Sequence, residues 1–274
     1  MSELFGDNDA HLSKKNIMKE DFGWEIPVES VPLPSKGIIY SPDTTLYNRE
    51  TVPIRAMTAH DEDILSSQAF IKEGTSIDNL IKSCVTDKTF NTENLIIGDR
   101  NALMISIRIT GYGPEYKVAH SCMNCGTRNS LTANLGDLKI NRLELDPVKK
   151  GENAFIFELP VTKKKVVFKF LTMKDDRNRS TENRNRKQAI NSKIDANVTS
   201  FLNYSILSID GITDRNKIHH FIKYMPAMDS KELRKYIREN EPGMDMSSSY
   251  KCESCDYSND YKIPVTTEFF WPST

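Results

Sequence analysis

Cys122 and Cys125 form one C-x-x-C pair, and Cys252 and Cys255 form another, 130 positions downstream. Two thiolates separated by two residues can bend back onto one ion. Two such pairs complete a tetrahedral four-thiolate site of the kind that holds structural Zn2+. If one ion is shared, the middle of the chain is clamped to its C-terminal end. Four sulfurs leave the ion no open position for a substrate, so its role is architectural. Cys84 is the fifth and odd cysteine. That count suits a reducing compartment with bound metal better than a disulfide framework. The competing readings are a redox-active pair or unrelated buried thiols. A thioredoxin-like motif, however, wants one C-x-x-C at a strand-to-helix turn, not two in similar loops.

The remaining candidates for chemistry are weaker. His120 lies two residues before Cys122, but with four cysteines present it reads as a neighbour of the metal site and not a ligand. No carboxylate or cysteine motif accompanies His219-His220, which reads as surface. Cys84 falls on the apolar stripe of a predicted helix and reads as core. Asp99 and Asp229 suit helix N-terminal caps. The run Arg177, Arg179, Arg184, Arg186, Lys187 could touch phosphates. Asp175, Asp176 and Glu182 are interspersed with it, and aromatic residues are missing, so a solvated helix face or a docking surface fits better. The sequence contains no GxxxxGK[ST], no GxGxxG after a strand, no HExxH and no GxSxG. No acid–base or nucleophile constellation emerges, and an enzyme is not expected.

The elements that must position the cysteines follow from composition and self-similarity. The chain has 274 residues, 27% of them charged, and a formal net charge of −1. That allows one or two domains with a sizeable core and gives no global pull toward nucleic acid or membrane. No apolar run approaches the ~20 residues needed to span a bilayer, and the first residues lack the apolar core of a secretory signal.

Shifting the chain by 130 positions lays Asp99 on Asp229, Leu103 on Leu233, Ile107 on Ile237, Arg108 on Arg238 and Gly113 on Gly243. Cys122 then falls on Cys252 and Cys125 on Cys255. Upstream, Val85–Lys88 resembles Ile212–Arg215, and Ile54–Asp61 resembles Phe168–Asp175 at a shift of 114. Blocks in one order, ending in one motif, imply a duplication. Each copy reads as a strand (Thr51–Met57; Lys165–Leu171), a helix with Thr58 or Thr172 at its N-cap and acidic residues in its first turn, and a second helix (Ser76–Cys84; Ala196–Ser208). A third helix (Gly98–Thr110; Ser230–Glu239) leads to a knuckle between short strands. The halves meet about a pseudo-twofold axis, each giving two sulfurs to one ion.

Residues 1–20 are polar and poor in core-formers, and are expected to be mobile. Residues 22–50 read as an extended arm, with Pro27, Pro32 and Pro34 opposing helix and Ile38-Ile39-Tyr40 forming a strand. Trp24 and Ile38–Tyr40 on that arm, with Arg184 and Arg186 on the charged helix, are the candidate partner contacts. The predicted organisation is a tail and arm over 1–50, a first repeat over 51–139, and a linker hairpin with the second repeat over 140–274. The fold class is α+β: two duplicated helical units, each ending in half of a shared four-cysteine zinc ribbon, with an extended N-terminal arm.

Several short motifs occur in a distinctive order. They are Leu33-Pro34-Ser35-Lys36-Gly37-Ile38-Ile39-Tyr40, Arg55-Ala56-Met57-Thr58 with Asp61-Glu62-Asp63-Ile64-Leu65, Gly98-Asp99-Arg100, Gly111-Tyr112-Gly113-Pro114-Glu115-Tyr116, and Cys122-Met123-Asn124-Cys125-Gly126. In this order the chain resembles the T4-type bacteriophage baseplate hub protein family, most strongly over 31–138. The resemblance implies a non-enzymatic tail protein that binds baseplate hub subunits, as a hub component or as an assembly factor. It implies other phage tail proteins as partners, and the host cytoplasm or the virion as its place. It supplies no catalytic residue, and no nucleic acid or small-molecule substrate is expected. The alternative is a zinc-ribbon regulator that binds nucleic acid, which near-neutral charge and sparse basic clustering at the knuckles oppose.

Overall fold

The computed structural model describes residues 23–190, 197–265 and 269–270. Residues 1–20, expected to be mobile, lie outside that range.

The first half opens with an antiparallel hairpin of β1 (Val28–Pro32) and β2 (Thr51–Arg55), with Val31 opposite Val52. A boundary at residue 50 therefore falls inside a hairpin, and the arm from Val28 onward is part of this half. The predicted strand at Ile38–Tyr40 is instead a turn. Lys36 and Gly37 reverse the chain there with φ of 56° and 70°, and a Cβ at Gly37 would lie 2.4 Å from the Arg49 backbone nitrogen. Only glycine combines that close approach with a left-handed backbone.

The turn delivers Ser35 and Tyr40 to a buried carboxylate. Asp99 accepts the Ser35 N–H at 2.9 Å and the Tyr40 hydroxyl at 2.5 Å. Asp99 is thus the anchor of the preceding loop and not a cap of its own helix. Burial pushes its carboxyl up, while the Ser35 and Tyr40 hydrogen bonds hold it down less strongly.

Three helices follow: α1 (Ala59–Ser66), α2 (Gln68–Glu73) and α3 (Ser76–Cys84). At the start of α1 the Thr58 N–H donates to Asp61 at 2.8 Å, and Arg55 grips the same carboxylate from two sides at 2.6 and 2.9 Å. The long helix α4 (Ile97–Tyr112) buries Leu103 and Ile107 and ends at Gly113. It leads into the hairpin β3 (Glu115–Ser121) and β4 (Arg128–Asn134). A two-residue strand, β5 (Ile140–Asn141), then crosses to the second half.

There, β6 (Phe155–Glu158), β7 (Lys165–Phe168) and β8 (Ile206–Ile209) form a three-stranded antiparallel sheet. The helices are α5 (Met173–Ile190), α6 (Asn197–Ser205), α7 (Arg215–Tyr224) and α8 (Ala227–Asn240). Contacts of the first half reappear. Lys169 pairs with Asp175 at 2.7 Å, Thr172 N–H donates to Asp175 at 3.0 Å, and buried Asp229 accepts the Val161 and Thr162 N–H groups at 2.7 and 3.1 Å.

The sequence reading carries one helix to Ser208. It ends at Ser205, because Ile206–Ile209 pairs with β7. It also misses α7, capped by the Asp214 side chain accepting the Lys217 N–H. Val85 bridges Ile54, while Ile206 sits opposite Phe168. Under the shift that lays Ile54 on Phe168, the place of Val85 therefore falls to Ile206 and not to Ile212.

One continuous core runs through both halves. Several contacts join them, three of them close to α4 and β5. Ile97 N–H donates to Leu171 O at 3.2 Å, and Met173 N–H to Leu95 O at 2.9 Å. β5 pairs with β9 (Gly243–Met244). Gly98 lies so close to the strand start that a Cβ there would fall 1.7 Å from the Pro242 oxygen. A final hairpin, β10 (Ser247–Lys251) and β11 (Ser258–Lys262), completes the described fold.

Candidate metal centre

Each C-x-x-C pair sits at the tip of a hairpin. Ser121 pairs with Arg128 at the end of β3–β4, and Lys251 with Ser258 at the end of β10–β11. The two tips close the same way. Cys122 N–H donates to Thr127 O at 2.8 Å and Cys252 N–H to Tyr257 O at 2.8 Å. Gly126 N–H donates to Cys122 O at 2.9 Å and Asp256 N–H to Cys252 O at 3.2 Å. Gly126 and Asp256 take the left-handed backbone that this turn demands, with φ of 75° and 56°.

The two tips face one another. Cys122 Sγ lies 3.8 Å from Cys255 Sγ, and Cys125 Sγ lies 3.7 Å from Cys252 Sγ. All four sulfurs fall within 4.8 Å of each other. These spacings are far longer than the ~2.05 Å of a disulfide. A tetrahedral ion with metal–sulfur bonds of about 2.3 Å sets its sulfurs about 3.8 Å apart, so the donor set fits a four-thiolate ion. The sequence pairs what the fold pairs: each half contributes one buried sulfur, Cys122 or Cys252, and one more open to solvent, Cys125 or Cys255.

The electrostatics favour a cation. The Cys125 and Asn124 amides lower the Cys122 thiol, with burial opposing them. The Thr127 side chain and amide bring Cys125 down to about 6. At Cys255 the Tyr257 amide and the Asn124 side chain also favour the thiolate. The crowding sulfurs of Cys125 and Cys252, with burial, outweigh them and push it up to about 11. Four sulfurs this close cannot all ionise without a positive charge among them, which a divalent ion supplies. When bound, such an ion holds two hairpins together and offers no open coordination position.

Protein contacts brace the same junction. Asn129 is 1% exposed; its Nδ2 donates to Thr127 O at 3.0 Å and its Oδ1 accepts the Glu253 N–H at 3.1 Å. Asn124 Nδ2 reaches Cys255 Sγ at 3.6 Å. The sequence reading gives neither residue a role at this junction, although Asn124 falls inside the quoted knuckle motif: an asparagine carries no local signal for a contact more than a hundred positions away. His120 packs its ring on Tyr250 at 4.7 Å and on Tyr261 at 5.3 Å, and lies outside the sulfur cluster.

The other singled-out residues lie apart. Cys84 is buried in the core, and burial with nearby Asp61 pushes its thiol up to about 12. His219 and His220 are exposed. Trp24 is 48% exposed. Ile39 and Tyr40 are buried, and Ile38 packs against the core. The turn folds Ile39 and Tyr40 inward, with the Tyr40 hydroxyl on Asp99, and this burial corrects the outer contact expected of them. Arg184 is exposed, and Arg186 pairs with Glu182 at 3.1 Å on the same helix. Among the described residues no helix is long and apolar enough to cross a membrane.

Neither the curated proteins nor the solved structures give a match to this chain. A family model described as "T4 bacteriophage base plate protein" matches residues 33–271, a span that holds both hairpins, all four clustered cysteines and the Ser35–Tyr40 turn. The chain belongs to the T4 bacteriophage base plate protein family.

Proposed function

We propose that this protein is a non-enzymatic scaffold of the phage tail that binds baseplate hub subunits, as a built-in component or as an assembly factor in the host cytoplasm. Its two halves are copies of one unit, and a shared Zn2+ held by Cys122, Cys125, Cys252 and Cys255 fixes them. The observation that carries this reading is the meeting of the two C-x-x-C tips. A saturated four-thiolate ion joins surfaces and activates nothing. The recurrence of the Thr58–Asp61–Arg55 contacts at Thr172–Asp175–Lys169 supports the duplication. A large assembly rewards such a stiffened core, because a preorganised partner loses less conformational entropy on docking. Exposed Trp24 and Arg184, with half-buried Arg186, remain the proposed contacts.

The test is co-expression with tagged hub subunits, followed by metal analysis and mass spectrometry of the purified complex and of finished virions. Co-purification with a single zinc per chain supports the reading. Presence in virions marks a component, and presence only in the lysate complex marks an assembly factor. A protein that co-purifies with no hub subunit overturns it.

A further inference from the structure

A second surface stands out when the two halves are compared position by position. Between α5, α6 and α8 lies a cleft of about 310 Å3, with Arg179, Arg234, Arg238 and Glu241 at its polar side and Val198 and Phe201 at its apolar side. The registers that align the halves lay Arg179 on Leu65, Phe201 on Leu80, Arg234 on Met104 and Glu241 on Gly111. In the first half those positions close a seam: Leu65, Leu80 and Met104 are buried, and Gly111 lies against Met57. Arg108, the counterpart of Arg238, spends its guanidinium on the carbonyls of Phe269, Gly113 and Glu115.

The second half therefore replaces a closed apolar seam with guanidinium groups around an open space. Arg179 gives one N–H to Asp176 at 2.7 Å, but its Nε is buried with no hydrogen-bond partner. Arg234 gives Nε to the Ser230 carbonyl at 3.1 Å. Among the described residues, neither Arg234 nor Arg238 forms an ion pair. Asp176 and Glu241 are the nearby carboxylates, and burial, then Asp176, pushes Glu241 toward its neutral form. The cleft has more positive than negative charge and an apolar wall, and planar guanidinium groups match carboxylates in geometry.

We propose that the cleft between α5, α6 and α8 docks an acidic peptide segment of a neighbouring protein, with a carboxylate on Arg234 and Arg238 and an adjacent apolar side chain on Val198 and Phe201. It rests on the reading that this chain docks on other tail subunits, and gives one of those contacts its chemistry.

The experiment is selection of a random 12-residue peptide display library on the full chain, on Arg234→Glu/Arg238→Glu, and on Arg234→Gln/Arg238→Gln. Selected peptides are then measured by fluorescence anisotropy. The variants are checked for fold by circular dichroism and for unchanged metal content. The expected result is enrichment of Asp or Glu beside Leu or Phe on the wild type. Binding should weaken roughly tenfold or more in both variants and fall with added salt. No enrichment, or enrichment that survives both variants, overturns the proposal. So does displacement by inorganic phosphate or a single-stranded DNA oligonucleotide at equal concentration, which would mark a general anion site. Because no hub subunit is present, failure here leaves the co-purification test of the scaffold reading intact.

Discussion

The Asn129 carboxamide accepts the Glu253 N–H at 3.1 Å while donating to the Thr127 carbonyl at 3.0 Å. One buried side chain thus ties the turn of the first knuckle to the backbone of the second, independently of any ion. The position 130 residues later, Asn259, is exposed; among the described residues it makes no such link, and its Oδ1 takes the next N–H along the chain. The brace is one-sided where the sulfurs are two-sided. Asn129→Ala leaves the Glu253 N–H and the Thr127 carbonyl without that partner, at about 1–3 kcal/mol. Thermal unfolding should shift down while metal analysis shows the ion retained. Loss of the ion in this variant would mean that the brace, and not the sulfurs alone, sets the geometry.

The cysteines act as one unit under the proposed shared ion. Cys125→Ser and Cys252→Ser, made singly, should each drop bound zinc from one per chain to none. Each should also open both hairpins to protease, including the one whose sequence is untouched. A strong chelator applied to the wild type should reproduce that digestion pattern. Zinc retained at full stoichiometry by either variant would falsify the shared site.

Asp61 supplies a pH-dependent test of the first half. Burial pushes its carboxyl up, but hydrogen bonds from Arg55, Ser83 and Thr58 outweigh burial and hold it at about 2, below its usual 3.8. A depressed carboxyl contributes stability above its unfolded value and loses it as pH falls through the folded one. The window therefore runs from about pH 4 down to about pH 2. Asp61→Asn should cost about 2–4 kcal/mol at neutral pH, because Arg55 loses its buried partner. Urea unfolding at stepped pH should show the gap between wild type and variant shrinking across that window. Cysteine protonation in acid acts on both proteins and drops out of the difference. A gap independent of pH would reject the ion pair as its source.

What the sequence revealed and what it hid divide along one line. The cysteine pairs were legible because metal ligation fixes both residue type and spacing, and the structure brings all four sulfurs within 4.8 Å. Ser76–Cys84 was legible because its apolar residues recur at helical spacing and one face is buried. The Ile38–Tyr40 turn reads as a strand from sequence, since β-branched content signals burial as readily as pairing. What decides it is Asp99, fifty-nine residues on from Tyr40, which no local pattern reveals. Ile206–Ile209 reads as the end of a helix for the same reason, because its partner β7 is remote. The Asn129 brace and the Gly98 seam are long-range contacts of single residues, and a single chain read in sequence carries no mark of either.

That seam makes a sharp prediction. A Cβ on residue 98 would lie 1.7 Å from the Pro242 oxygen and 3.0 Å from the Gly243 Cα, all backbone that cannot swing aside. Gly98→Ala adds a helix-favouring methyl on α4 and would help an exposed helix by up to ~1 kcal/mol. Here the clash must win, forcing α4 away from β9 at a cost of about 3 kcal/mol or more. Gly111→Ala is the control. Its added Cβ meets the Met57 Cβ at 3.1 Å and Sδ at 3.3 Å, a tight contact that a small shift relieves, so its cost should be about 1 kcal/mol. Chemical denaturation of the pair should rank Gly98→Ala far below Gly111→Ala, and equal stabilities would overturn the close approach.

The N-terminal arm gives the last test. Read from sequence alone, deleting residues 1–40 removes an appendage. The structure places β1, Leu33 and both hydroxyl donors to Asp99 inside that deletion. Its loss strips the pairing partner of β2 and leaves Asp99 buried without hydrogen bonds, a penalty several times that of one lost contact. The truncated chain should be insoluble or molten, with dispersed amide signals lost. Tyr40→Phe separates the two contributions. It removes one donor from Asp99 and leaves the ring packed, so the variant should stay folded and lose about 1–3 kcal/mol. A cooperative, zinc-loaded truncation lacking residues 1–40 would show that the core closes without β1, and the arm would then return to the exterior as a docking segment.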